Sequence, residues 1–508
     1  MRVLLINPPV LSVLEPWYDT PDFVRTGLAY IAGYVKENSE HEVEIIDAKF
    51  ERLNFEETIG RVIEFEADLV GFTAFTNEIK PAAYLAAKLK QQNSNLITVI
   101  GGVHLSALPI QTLLEFNAFD IGVFGEGEIT FLELLNALEK KKCLAEIQGL
   151  VFRDKAGKPI KNNTRSRVLS LDSIQKPAWD LMPSANTYFI QAQRGCPLNC
   201  SFCMNPGGKA VRHRSVANII EEIQYLVEAK GAKRISFGDE IFSVNKSFTV
   251  QLLKAIIDSK LGSKIEWDVQ THVRYVDREL FKLFREAEVD IVELGVETGD
   301  EDLLKKMGKG TNLEMIKKAF KIAKEENVKT GAFFLFGQPN ETVQSLRKTI
   351  RFASLLNPDV PMFGLMVPYP GTKVSEMAST NSHGYYLISR DWDEYNKQLG
   401  GALEFAGISR SKIEYYQALG YLMVFIQNFR GKDLAKFLWK YRVGVISVIK
   451  KITLKSESIA SLYEKPFDYD DLLLSHKTNE VNYLKTSFEN WKEYQIKELK
   501  RFKLMSET

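Results

Sequence analysis

The chain has 508 residues, 45% of them apolar, with 66 Lys plus Arg set against 65 Asp plus Glu. That length suggests roughly two to four domains, and the near-zero net charge argues against a general nucleic-acid binder. No stretch reaches the ~18 uninterrupted apolar residues of a spanning helix, and Met1-Arg-Val-Leu-Leu-Ile-Asn-Pro-Pro9 runs into a strand rather than a secretory signal.

Residues 1–145 alternate between strand-like and helix-like patterns. Apolar runs at Val3–Asn7, Val43–Asp47, Asp68–Thr73, Ile97–Ile100 and Asp120–Phe124 predict strands, and Ala82–Gln91 has helical spacing. Short apolar strands separated by helices predict an α/β, doubly wound (Rossmann-like) parallel sheet, which takes ligands beyond its strands' carboxyl ends. Those ends read Gly71-Phe-Thr-Ala-Phe-Thr76, Gly101-Gly-Val-His-Leu105 and Gly125-Glu-Gly-Glu128. Glycines there let backbone approach a large ligand closely.

Residues 146–186 predict a connector built on a small β-hairpin around the Gly157 turn, with Trp179 as a packing anchor between domains. From 187 to 375 the alternation restarts, with strands expected at Tyr188–Arg194, Arg234–Phe237, Ile265–Gln270, Ile291–Leu294, Thr330–Phe336 and Met362–Val367. Helix Val216–Ala229 is capped by Ser215 and stopped near Gly231. Six βα units predict a partial (β/α)6 barrel with its active groups at the strands' carboxyl ends. Residues 376–508 read as helix-rich, with Asp391-Trp-Asp-Glu-Tyr395 and His383-Gly-Tyr-Tyr386 as candidate pocket residues. Within them, basic and aromatic residues interleave over 432–455, a pattern that suits either a helix covering the barrel or peripheral contact with an anionic membrane.

Of the four cysteines, Cys196, Cys200 and Cys203 share one short loop, Arg194-Gly-Cys-Pro-Leu-Asn-Cys-Ser-Phe-Cys203. The odd count and tight spacing do not suit disulfides, and thiolates are soft ligands for iron–sulfur clusters. Zinc would need a fourth ligand, for which His213 is the nearby candidate. Clustered cysteines with few elsewhere fit a reducing cytoplasm. C-x3-C-x2-C with Phe202 before its last cysteine resembles the radical S-adenosylmethionine (radical SAM) superfamily. Arg-Gly-Cys-Pro resembles its branch with an N-terminal cobalamin-binding domain, a likeness covering roughly residues 1 to 375.

The resemblance implies a [4Fe–4S] cluster held by Cys196, Cys200 and Cys203, with one iron open for SAM. It implies SAM contacts at Phe202, at Gly238, Asp239 and Glu240, at Gln270, and at Gly295 and Glu297, and backbone contact with adenine near Gly337. It implies cobalamin along Thr73, Phe75, Gly101, Gly102 and Gly127. One departure stands out: no D-x-H-x-x-G follows the first strand, where Asn7-Pro-Pro-Val-Leu-Ser-Val13 stands instead. Asp47-Ala-Lys-Phe-Glu-Arg52 likewise has Lys49 and Arg52 in place of His and Gly. Any bound cobalamin then lacks a protein imidazole below, and a degenerate domain that binds nothing stays open. His272 and Arg274 read equally as salt-bridge or site residues, and Arg194 and Arg214 as cations balancing the thiolates.

In the family, one electron from the reduced cluster cleaves SAM to a 5′-deoxyadenosyl radical, which abstracts hydrogen from an unactivated carbon. The leading expectation is therefore a methyltransferase acting on an sp3 carbon of a small-molecule or lipid substrate, using two SAM molecules per methylation. An electron donor such as flavodoxin or ferredoxin is implied. Radical cyclisation or rearrangement is the alternative, and a non-catalytic cobalamin sensor or carrier is a third reading. A methylthiotransferase is set aside, because residues 1–142 hold no cysteine for a second cluster.

Overall fold

The computed structural model describes residues 1–9, 23–174, 177–397 and 401–440. Its first sheet contains β1 (Arg2–Asn7), β2 (Glu42–Asp47), β3 (Leu69–Thr73), β4 (Ile97–Gly101), β5 (Ile121–Val123), β6 (Leu150–Arg153) and β7 (Pro159–Lys161). The order is β2-β1-β3-β4-β5-β6-β7, and the pairs among β1 to β5 are all parallel. Val3 to Asn7 and Leu69 to Phe72 are buried without a break. Strands covered on both faces bury every side chain, so these segments read as continuous apolar runs. Strand order reverses between β1 and β3, which opens a crevice at their carboxyl ends.

The hairpin expected within 146–186 forms, but it is not a separate connector. β6 pairs antiparallel with β5 (Gly122↔Val151) and carries β7, so the first sheet runs to Lys161 rather than stopping at 145. The short β5 would otherwise present an open edge. Beyond it, Trp179 is buried as an anchor: its ring stands edge-on to Tyr188 at 5.4 Å and its N–H donates to Glu222 at 2.7 Å.

The second sheet contains β8 (Thr187–Ile190), followed by the two-residue strands β9 (Gln193–Arg194) and β10 (Arg212–His213) that pair only with each other. β11 (Arg234–Phe237), β12 (Glu266–Thr271), β13 (Ile291–Glu297), β14 (Thr330–Phe336) and β15 (Val360–Leu365) complete it. Six strands, in the order β15-β14-β13-β12-β11-β8, form an all-parallel open barrel. The single strand expected over 188–194 is broken because Asp239 takes the amides of Ala192 and Gln193 at 2.9 and 3.0 Å.

After helix Lys373–Ser379 the C-terminal region opens with an antiparallel pair, β16 (Tyr385–Leu387) and β17 (Leu403–Phe405), before its helices begin. Three-residue strands leave too little periodicity to be read in advance. Helix Arg410–Gln427 then closes the open barrel edge: Tyr421 and Gln417 bond the free backbone N–H and C=O of Phe363 in β15. Of the 432–455 stretch, residues 441–455 lie outside the described residues. Gly431–Lys440 is helical, with Phe437 stacked on Tyr421 at 4.7 Å. Among the described residues no helix is long and apolar enough to cross a membrane.

The segment Asp391–Tyr395 docks on the first domain. Lys80 reaches Asp391 at 2.6 Å and Asp393 at 3.0 Å, and the Trp392 N–H donates to Glu115 at 2.6 Å. Burial pushes the Glu115 carboxyl up to about 7, against the pull of Trp392 and Lys80. A carboxyl raised by folding contributes fully below its unfolded value, 4.5, and that contribution is lost as pH rises through about 7. Glu115→Gln keeps an acceptor for Trp392 without the charge. It is expected to stabilise the protein by ~2 kcal/mol at pH 8 and not at pH 4. Thermal scans at both pH values check this, and an equal gain at each would sink it.

Candidate functional site

Cys196, Cys200 and Cys203 sit on the loop between β9 and β10, past the carboxyl end of β8. The loop is tied by backbone rather than by its thiols. The Cys196 N–H donates to the Gly208 carbonyl at 2.8 Å, and the Asn205 side chain donates to the Cys196 carbonyl at 2.8 Å. Ser201 donates to the Met307 carbonyl and accepts from the Val374 N–H, both at 3.1 Å, which pins the loop to the end of helix Glu301–Lys306 and the start of helix Lys373–Ser379.

Burial pushes the Cys200 thiol up to about 11 and raises Cys196, and the three thiols lie close enough to feel one another's charge. Metal loading must therefore displace protons. Among the described residues no group of His, Cys, Asp and Glu is arranged to hold a single metal ion. His213, the ligand zinc would need, packs tilted against Phe248, with ring centres 4.4 Å apart. Three clustered soft donors without a fourth protein ligand fit an iron–sulfur cluster with one open iron.

The strand ends of the barrel surround this loop. Asp239 is buried, and its contacts hold the Ala192–Gln193 backbone that leads into the loop. Its neighbour Glu240 accepts from the Gly195 N–H at 3.3 Å, beside Cys196, while the Gly238 N–H continues the ladder to Ile190 at 2.8 Å. Gln270 is exposed at the end of β12. Phe202 is half-buried, packed against the core.

Glu297 ends β13 at a bulge, with φ +67°, an uncommon conformation that sets its carboxylate off the strand. It forms a buried ion pair with Lys309, 4% exposed. A Cβ at Gly295 would meet the Lys309 ammonium and the Glu297 carboxylate, so a larger residue there would have to displace the pair. Both charges act on Cys200. Sequence reading missed Lys309, since nothing in Met307-Gly-Lys-Gly-Thr311 signals a buried cation. His272 is held neutral: burial and then the Lys309 charge push it down to about 3, and Nδ1 accepts from the Arg274 N–H at 3.1 Å. It is therefore not the cation of a salt bridge.

On the first sheet, Thr73 and Phe75 lie at the end of β3, on the crevice between β1 and β3. Phe75 is 49% exposed, with the Arg25 guanidinium 4.2 Å from its ring centre. Gly101 ends β4, and the loop after β5 leaves open space at Gly125. These features fit a flat, bulky group laid across the strand ends. Gly102 and Gly127 also answer to internal packing, since a Cβ would lie 2.6 Å from the Ala74 carbonyl at the first and 2.7 Å from Ile31 at the second. Where a D-x-H-x-x-G motif would place its His, Lys49 is paired with Glu78 at 3.0 Å, and residues 10–13 lie outside the described residues.

Arg194 and Arg214 do not balance thiolate charge. Arg214 forms a buried pair with Glu222, and Arg194 pairs with Glu128 at 2.7 Å. A sequence shows their charge but not these partners, which come from other elements.

Two family models match the chain: the B12 binding domain over residues 20–135 and the Radical SAM superfamily over 190–353. It is 33% identical over 404 residues to the uncharacterized methyltransferase PH0819 of Pyrococcus horikoshii, covering 78% of this chain and 86% of that one. It is also 28% identical over 389 residues to the anaerobic magnesium-protoporphyrin IX monomethyl ester cyclase of Rubrivivax gelatinosus, covering 73% and 68%. The fold is shared with the radical SAM methyltransferase TsrM of Kitasatospora setae, solved with cobalamin and a [4Fe–4S] cluster, at a TM-score of 0.64 and 20% identity over 78% of this chain and 82% of that one. The chain belongs to the cobalamin-dependent radical SAM superfamily, in its methyltransferase-like branch, and is an enzyme whose cofactors are a [4Fe–4S] cluster, SAM and cobalamin.

Proposed function

We propose that this enzyme methylates an unactivated carbon of a small-molecule substrate held between two facing cofactor sites. The observation that carries this reading is the meeting of both sheets' carboxyl ends. A Cβ at Gly371, in the loop after β15, would lie 3.4 Å from Ala107, after β4, and 3.4 Å from Met204, after the last cysteine. An sp3 carbon is beyond the reach of side-chain acids and bases. When bound, the cluster with SAM supplies a hydrogen-abstracting 5′-deoxyadenosyl radical, and cobalamin supplies a methyl group.

In this reading Cys196, Cys200 and Cys203 hold the cluster. Glu240, Gln270, Glu297 and Lys309, with Gly238, Gly295 and Phe202, frame SAM. Thr73, Phe75, Gly101, Gly102 and Gly127 line the cobalamin site, and a flavodoxin- or ferredoxin-like protein delivers the electron. The residues exclude water and hold the reacting groups in line.

The test is anaerobic reconstitution of the full chain with iron, sulfide and cobalamin, followed by reductant and methyl-labelled SAM. The expected result is 5′-deoxyadenosine together with label in the cobalamin fraction. 5′-Deoxyadenosine without any label would point to radical chemistry without methyl transfer and overturn the proposal.

A further inference from the structure

The glycine loop of the first domain and the neck of the cysteine hairpin are joined by four buried charges. Glu126 and Glu128 flank Gly127, at the end of β5. Arg194 and Arg212 face each other across the β9–β10 ladder, where the hairpin carrying the three cysteines begins and ends. Arg194 reaches Glu128 at 2.7 Å and Glu126 at 3.4 Å, and Arg212 reaches Glu126 at 2.8 Å. Arg212 also donates to the Val168 carbonyl at 2.9 Å and to the Gly207 carbonyl at 3.1 Å, so one guanidinium ties three segments together. All four side chains are at most 14% exposed. By contrast Lys36–Asp180, another link between the domains, is 40% and 54% exposed.

We infer that this quartet is a positioning clamp which fixes the cobalamin loop relative to the cluster loop, and so sets the separation of the two cofactors. The inference rests on the two-cofactor reading above. Two acids and two guanidiniums cancel only while they stay paired, and a buried charge without its partner is heavily penalised. Sliding the glycine loop past the hairpin neck by one hydrogen-bond length would strand at least one of them. An exposed link such as Lys36–Asp180 exerts no comparable restraint, because water replaces either partner. Methyl transfer needs both cofactors to reach one substrate carbon, and misplacement on the ångström scale is costly to such geometry.

The test compares the full chain with Glu126→Gln and Glu128→Gln, substitutions that preserve shape and remove charge. Pulsed electron spin resonance reads the Co(II)–cluster distance in reconstituted, reduced protein, and amide hydrogen exchange reads the cofactor-free chain. Both variants are expected to retain iron and cobalt while the distance distribution broadens. Amides of residues 195–211 should exchange at least about tenfold faster, with β13 and β14 unchanged. An unaltered distance distribution with unaltered exchange over 195–211 in both variants would overturn the clamp. So would acceleration spread equally over β13 and β14, which would assign the quartet to general stability. A parent chain that takes up no cobalamin would sink the two-cofactor reading instead, and the exchange arm would still decide whether the quartet restrains the loop.

Discussion

Replacing Cys196, Cys200 and Cys203 together by alanine is expected to give a folded chain that keeps cobalamin, carries no iron–sulfur cluster and forms 5′-deoxyadenosine at least about a thousandfold more slowly. The loop's hydrogen bonds run through the backbone of Cys196, Cys203 and Gly208 and the side chain of Asn205, so losing three thiols leaves its scaffold in place. Among the described residues no substitute donor stands ready: Cys143 lies beyond the helix that follows β5, and His213 packs against Phe248. The residues proposed to line cobalamin belong to another sheet, which provides an internal control for folding. Anaerobic iron, sulfide and cobalt analysis with 5′-deoxyadenosine quantification checks the result. A triple variant that retained its cluster would remove the basis for assigning these residues.

The same loop shows what can be read from a linear sequence. Ligand type and spacing are local properties, and three cysteines on one loop are visible without any fold. The strands were legible for a related reason. Burial on both faces leaves unbroken apolar runs such as Val3–Asn7 and Thr330–Phe336, and the observed bounds fall close to those runs. What stayed hidden depends on partners distant in sequence. The attachment of β6 to β5 is a pairing choice that a hairpin pattern does not reveal. Arg194 and Arg214 stand beside the thiols in sequence, yet their carboxylates come from the helices after β5 and β10. Asp239 lies inside a recognisable motif, but its contacts are with the backbone of Ala192 and Gln193. Adjacency in sequence predicted the neighbourhood of each charge and misjudged what it touches.

Lys309 was the least legible site residue, and its loss is the second large effect expected. Lys309→Met should retain the cluster but lower SAM cleavage by ~100-fold or more. The ammonium is buried, paired with Glu297 and close enough to shift Cys200, so in the proposed reading it would meet an anionic group bound beside the cysteine loop. Its removal has two separable consequences. One is structural: Glu297 is left buried and uncompensated, at a cost of about 3–5 kcal/mol. The other is electrostatic: the barrel mouth loses the cation that faces the cluster loop. The double variant Lys309→Met with Glu297→Gln separates them, since a neutral pair removes the stranded charge and should recover most of the lost thermal stability. If the lysine serves SAM, the double variant will remain slow in forming 5′-deoxyadenosine, and the cluster's electron spin resonance spectrum will no longer shift when SAM is added. Recovery of both rate and spectral shift in the double variant would reduce the pair to a packing element, and the positive φ at Glu297 would then need a different explanation.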